Sequence, residues 1–215
     1  MRAAFLIWKI YLLWARIFYR LKVIGKENVP KEGGLVIVFN HIAPIIDGIT
    51  GGIAFIERPD SATFGGAALP RGGFLGKLIS SRRAEESSMM LSAVKAQGLS
   101  GVELLKALKI LKSGKPIALA AEGEISWDGK LQYPLAPGAA WMALRANVPV
   151  IACVSIGGYD VMPRWSKLPK LFGRVTIKVG KPFYVHDEPI TKLTDELMTK
   201  AGDKIYNEMA ILIGG

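Results

Sequence analysis

His41 and Asp47 stand six positions apart in Asn40-His-Ile-Ala-Pro-Ile-Ile-Asp47-Gly48, directly after the apolar run Leu35-Val-Ile-Val-Phe39. An imidazole can take a proton from an attacking hydroxyl near neutral pH. A carboxylate on its other ring nitrogen holds the useful tautomer and favours the imidazolium that forms. A regular strand would not turn two side chains at this spacing toward each other, whereas a loop curling into the first turns of a helix can. Pro44 supplies such a bend and keeps Ala43 out of helical geometry. The spacing alone is weak evidence; the position after a buried strand and the neighbouring Asn40 strengthen it.

A second polar group, Glu122-Gly-Glu-Ile-Ser126, also follows an apolar run, Pro116-Ile-Ala-Leu-Ala-Ala121. Gly123 would let backbone approach a ligand closely. The plainer reading is a turn in which Glu122 and Ser126 cap neighbouring elements. The single cysteine, Cys153, lies in the apolar run Val150-Ile-Ala-Cys-Val-Ser-Ile156 and reads as core packing. With one cysteine no intramolecular disulfide can form, and the two histidines have no metal-binding spacing, so no metal is expected.

These residues need a frame. Residues 35–39, 116–121, 148–156 and 175–179 read as short buried strands, with a further short strand within 61–68. Residues 48–57, 101–112, 138–146 and much of 193–212 read as helices; Gly114 stops the second, whose lysines gather toward its carboxyl end. Residues 28–34 and 70–73 read as turns. The alternation predicts an α/β fold in layers rather than a helical bundle.

Residues 3–19 carry Phe, Ile, Leu, Trp and Tyr with Arg2, Lys9 and Arg16 every seven residues, a narrow basic stripe on a broad apolar helix. Trp8, Tyr11, Trp14 and Tyr19 are residue types that settle at lipid headgroups. Lys9 and Arg16 interrupt any span of about 20 apolar residues, and no small-residue cleavage pattern precedes Leu21. A shallow interfacial helix fits better than a span; packing on its own domain is the alternative. The expected organisation is a membrane-associating helix at residues 1–20 and a single α/β domain at 21–215.

The chain has 28 Lys plus Arg against 18 Asp plus Glu, a net charge of +10. That favours an anionic partner, and anionic membrane lipid fits the first helix. Nucleic acid is not expected, because the basic residues are scattered with no finger or arginine-rich tract.

The ordered motifs resemble the lysophospholipid and glycerolipid acyltransferase family, which includes 1-acylglycerol-3-phosphate acyltransferases. Asn40, His41, Asp47 and Gly48 are similar to its first block and Gly76-Lys-Leu-Ile-Ser-Ser-Arg82 to its second. Glu122-Gly123-Glu124-Ile125-Ser126 resembles the third, usually Glu-Gly-Thr-Arg-Ser, and Val148-Pro149-Val150-Ile151 the fourth. Gly180-Lys181-Pro182 matches a late turn, so the resemblance covers residues 35–182.

The resemblance implies a mixed, largely parallel sheet flanked by helices. It implies acyl transfer from acyl-CoA or acyl-carrier protein, as donor substrate without a cofactor, to a lysophospholipid hydroxyl. With 1-acylglycerol-3-phosphate as acceptor the product would be phosphatidic acid. His41 and Asp47 would be catalytic; Arg82, Glu122, Gly123 and Ser126 would bind substrate, Arg82 through the acceptor phosphate. Ser126 could otherwise cap a turn. Ile125 stands where the family usually has arginine and Glu124 where it has threonine, which weakens the case for a phosphate-bearing acceptor. Alternatives are another lipid or glycolipid alcohol, or a non-catalytic lipid-binding relative. The expected location is the cytoplasmic face of a membrane, peripheral or monotopic.

Overall fold

The apolar runs form strands that bury both faces. In β2 (Leu35–Phe39), Leu35, Ile37 and Phe39 enter one core while Val36 and Val38 enter the other. In β5 (Val150–Ile156), Ile151 and Cys153 face the first core, and Val150, Ala152 and Val154 the second. This two-sided burial explains why the runs are continuous rather than alternating. The structure, a computed structural model, describes residues 2–58, 62–64, 101–187, 190 and 192–215. Among these the sheet has six strands, in the order β1-β6-β5-β2-β4-β3. The remaining strands are β1 (Lys22–Ile24), β3 (Ala62–Phe64), β4 (Pro116–Ala120) and β6 (Thr176–Val179).

Pairs β5–β2, β2–β4 and β4–β3 are parallel. Strand β6 runs antiparallel to β5, with Ile156 opposite Thr176, and β1 runs parallel to β6, with Lys22 opposite Thr176. The starts of β1 and β6 therefore lie at the carboxyl ends of β2 and β5. That is the rim where an α/β sheet places its chemistry.

Helices α1 (Arg2–Phe18) and α2 (Pro44–Glu57) cover one face. Helices α3 (Gly101–Lys112), α4 (Gly138–Ala146) and α6 (Asp195–Gly214) cover the other, and a single turn, α5 (Gly158–Val161), follows β5. The mixed α/β fold expected from the sequence is present. Helix α2 starts four residues earlier than expected, because Pro44 serves as its first residue: its fixed φ is already helical and the N–H it lacks would be unpaired there anyway. Helix α6 occupies 195–214 rather than 193–212, capped by the Thr194 hydroxyl, which accepts the Leu197 N–H at 3.2 Å. Strand β1 and α5 were not expected at all. The turn at 70–73 and the second motif at 76–82, including Arg82, lie outside the described residues.

Candidate active site

At the end of β2 the chain leaves the sheet as Asn40, and its side chain continues the ladder. Asn40 Nδ2 donates to the Ser155 carbonyl at 3.0 Å, and Asn40 Oδ1 accepts the Ser155 N–H at 2.8 Å. The amide imitates a strand residue and ties the rim of β2 to β5. His41 thus emerges from a fixed point.

The next residues bend into α2. Ile42 and Ile46 are completely or almost completely buried, and burial of each is worth about 1.5–3 kcal/mol. They hold the first turn of α2 against the sheet, where the Asp47 N–H donates to the Ala43 carbonyl at 2.8 Å. A Cβ on Gly158 would meet Ile46 Cγ2 at 2.9 Å, so only glycine lets α5 pack this close to that turn. Asp47, itself buried, then reaches back: Oδ2 lies 2.7 Å from His41 Nδ1, and Oδ1 accepts the Ile42 N–H at 3.2 Å. The loop-to-helix bend brings together the pair that the sequence could only juxtapose.

A carboxylate at Nδ1 places the ring proton on that nitrogen and leaves Nε2 as the proton acceptor. The His41 side chain retains 18% exposure, enough for one edge to meet a substrate. Burial pushes the Asp47 carboxyl above its ordinary value, and the His41 hydrogen bond pulls against that shift.

Glu122 acts on the same loop. One carboxylate oxygen accepts the His41 N–H; the other accepts the Gln132 N–H at 2.9 Å. Burial raises its pKa, opposed by those two N–H groups in that order. Both oxygens are thus occupied by backbone, so Glu122 clamps the His41 loop to residue 132. Gly123 supplies the left-handed corner after it, at φ +80°, and is exposed. Ser126 is fully buried: its N–H donates to the His41 carbonyl at 2.7 Å, and its hydroxyl donates to the Lys130 carbonyl at 2.8 Å. Of the two roles open to Ser126 in the sequence, the geometry is that of turn formation.

Two residues that the sequence did not single out complete the surroundings. Gln132 is the second end of the clamp. Arg164, from the loop after α5, donates through Nη1 to the Ile125 carbonyl at 2.6 Å and pairs with Glu124 at 3.2 Å. Its guanidinium also lies 3.7 Å from the centre of the Trp127 ring. A sequence signal existed in Pro163-Arg-Trp165, an arginine among ordering and aromatic residues, but nothing local connects it to position 125. Among the described residues no group of three or more His, Cys, Asp or Glu side chains could hold a metal ion.

Comparisons with known proteins bear on the fold and the family. The fold is similar to the crystal structure of the 1-acyl-sn-glycerophosphate (LPA) acyltransferase PlsC from Thermotoga maritima. The TM-score is 0.61 at 20% identity, over 90% of this chain and 72% of that one. No curated protein matches the chain in sequence. Residues 20–156, which span all four motifs, match the family model described as Acyltransferase, and the chain belongs to that family.

Proposed function

We propose that the protein transfers a fatty acyl group from an acyl-CoA or acyl-carrier-protein thioester to the free hydroxyl of a lysophospholipid, with 1-acylglycerol-3-phosphate as acceptor and phosphatidic acid as product. The observation that carries this reading is the 2.7 Å contact of His41 with buried Asp47 at the rim of the sheet in an acyltransferase-family chain.

In the reaction His41 Nε2 removes the proton of the acceptor hydroxyl as that oxygen attacks the thioester carbonyl. The tetrahedral intermediate collapses, the carbon–sulfur bond breaks, and the leaving thiolate takes the proton back from the imidazolium. Asp47 compensates the transient positive charge, and no acyl-enzyme forms. The donor is a consumed substrate and no cofactor is required.

One feature supports a phosphate-bearing acceptor despite Ile125. The Ile125–Ser126 peptide receives Arg164 on its carbonyl and gives its N–H to the His41 carbonyl, so Arg164 Nη1 lies within about 8 Å of that oxygen. Arg164 thereby offers a cation beside the position that lacks one. Its pairing with the exposed Glu124 is worth no more than about 1 kcal/mol and yields readily to a bidentate phosphate.

A neutral lipid or glycolipid alcohol is the second reading, favoured by Ile125 itself. The protein is read as peripheral or monotopic at the cytoplasmic membrane face, held through α1 on anionic lipid. Among the described residues no helix is long and apolar enough to cross a membrane.

Purified protein incubated with labelled acyl-CoA or acyl-carrier-protein donor and a panel of lipid acceptors tests the reading. Acylated 1-acylglycerol-3-phosphate, lost in His41→Ala, is the expected result. Transfer that survives His41→Ala would overturn the mechanism; labelled free fatty acid without acylated acceptor would indicate a thioesterase.

A further inference from the structure

Helix α1 does not end its exposed apolar surface where it meets the domain. Ile10, Leu13 and Ile17 are each more than half exposed, at 59%, 58% and 63%. At 100° per residue they lie within about 60° of one another, a single stripe. Lys9 and Arg16 border that stripe on one side. On the other, Phe18 stacks on Phe172, ring centroids 5.8 Å apart.

Phe172 belongs to the segment between α5 and β6, which carries an equal apolar surface. Trp165, Leu168, Leu171 and Phe172 are 65%, 78%, 62% and 67% exposed. Such a concentration of large apolar groups in water marks an interaction surface. The segment is also firmly held. The Gly173 N–H donates to the Phe18 carbonyl at 3.1 Å, and the Val175 N–H to the Tyr19 carbonyl at 3.0 Å. The Lys170 N–H donates to the Val161 carbonyl at 2.8 Å, and the Ser166 hydroxyl to the Leu168 carbonyl at 2.6 Å. Its apolar tips are thus presented by a fixed loop joined to the end of α1.

We infer that residues 165–174 form a second membrane-inserting element, which enters an anionic bilayer beside α1. The inference rests on the reading of α1 as an interfacial anchor and extends it to a surface that nothing local in the sequence announces. Charge selects the occupant. Lys167, Lys170 and Arg174 are interleaved with Leu168, Leu171 and Phe172, and no acidic residue lies within 165–174. Apolar tips among cations suit acyl chains beneath anionic headgroups, whereas a second copy of this basic chain would bring like charges together. Placement agrees: the reversed β6 and β1 bring the loop and the end of α1 to the rim that carries His41, as Ile156 opposite Thr176 and Lys22 opposite Thr176 require. Both elements then hold the reaction rim at the lipid surface.

Environment-sensitive fluorophores on single introduced cysteines test this in the full-length chain, since the native Cys153 is buried and stays unlabelled. The positions are Leu171→Cys in the loop, Leu13→Cys on α1 and Asn207→Cys on α6, in the opposite layer. Vesicles of phosphatidylcholine with phosphatidylglycerol are added, with and without quenchers attached to the acyl chains. The label at 171 should shift to the blue and be quenched by the lipid-borne quencher; the label at 207 should do neither. Leu168→Ser/Leu171→Ser/Phe172→Ser should lower vesicle affinity at least tenfold while the melting temperature stays near wild type.

A label at 171 that remains in water while that at 13 is buried would overturn the inference and leave the α1 anchor standing. The reverse result would uphold the loop and remove α1 as the anchor. If neither label enters lipid, both readings fail. Sedimentation velocity showing a dimer that the triple substitution abolishes would then assign the surface to a second copy.

Discussion

Replacing Asp47 by Asn tests the mechanism at its narrowest point, because the side chain has two partners and both donate. Asp47 accepts from His41 Nδ1 at 2.7 Å and from the Ile42 N–H at 3.2 Å. An asparagine can accept one of these and must point its own NH2 at the other. If the NH2 faces His41, the imidazole moves its proton to Nε2 and cannot take one from the acceptor. If it faces Ile42, a buried amide pair is left opposed, at about 1–3 kcal/mol. The flipped arrangement still loses the negative charge that balances the imidazolium, worth about 1.5–3 kcal/mol for a charge-assisted bond. Together these give a loss of about 3–6 kcal/mol in transition-state stabilisation, a fall in kcat of roughly 10²–10⁴.

Stability should behave differently. Burial raises the Asp47 pKa, so the folded protein holds that proton more tightly than the unfolded chain. The stabilisation linked to this proton is present below the ordinary value of 3.8 and is lost as pH rises through the folded value, so at pH 7 the ionised group costs stability. Removing the charge offsets the opposed amide, and the melting temperature should stay within a few degrees of wild type. The assay pairs acyl-transfer kinetics with ¹⁵N shifts of the imidazoles, which report the His41 tautomer without any substrate. A variant that keeps both the Nδ1–H tautomer and a kcat within threefold of wild type would refute the reasoning.

Glu122→Gln leaves one acceptor for the two N–H groups of His41 and Gln132, so it should cost about 2 kcal/mol by chemical denaturation and lower kcat far more than it raises KM; an increase in KM alone would move Glu122 to substrate binding. Arg164→Ala should lower kcat/KM for 1-acylglycerol-3-phosphate about tenfold relative to monoacylglycerol, and Ile125→Arg in that background should restore the ratio; an unchanged ratio would favour a neutral acceptor. Burial pushes the Cys153 thiol up to about 12 from 9.0, so at pH 8 the native thiolate is about one part in 10⁴ and labelling by iodoacetamide should require unfolding. With the folded pKa raised, the linked stability is whole below about pH 9 and falls as pH approaches 12, by at most ~1.4 kcal/mol per pH unit; a Cys153→Ala variant should lose that part of the alkaline dependence.

What the sequence revealed follows the range of the interactions involved. Strands β2, β4 and β5 announce themselves because burial on both faces demands unbroken apolar residues. Helix α3 does so through its periodicity and the glycine after it. The first and third motifs were legible as residue types, and the need for a bend between His41 and Asp47 followed from spacing. The neighbours of β6 did not follow: pairing Ile156 with Thr176 depends on distant chain, and a three-residue strand such as β1 carries too little pattern to detect. A capping role for Glu122 was open in the sequence, but its partners were hidden for the same reason, since they are backbone groups and backbone is the same at every residue. Arg164 reaches the Ile125 carbonyl across 39 positions.

The reversal of β6 decides where the molecule can work. Had it run parallel to β5, β1 would have reversed with it, and the end of α1 would lie at the opposite end of the strands, about 13 Å from the rim that carries His41. With the strand turned over, a protein resting on α1 keeps that rim near the lipid boundary. On the proposed reading a lipid acceptor would then arrive by lateral diffusion in two dimensions instead of being drawn out into water. Turnover at such a rim would follow the mole fraction of acceptor in the surface, and diluting the acceptor with inert lipid would slow the reaction even when the total amount present is unchanged.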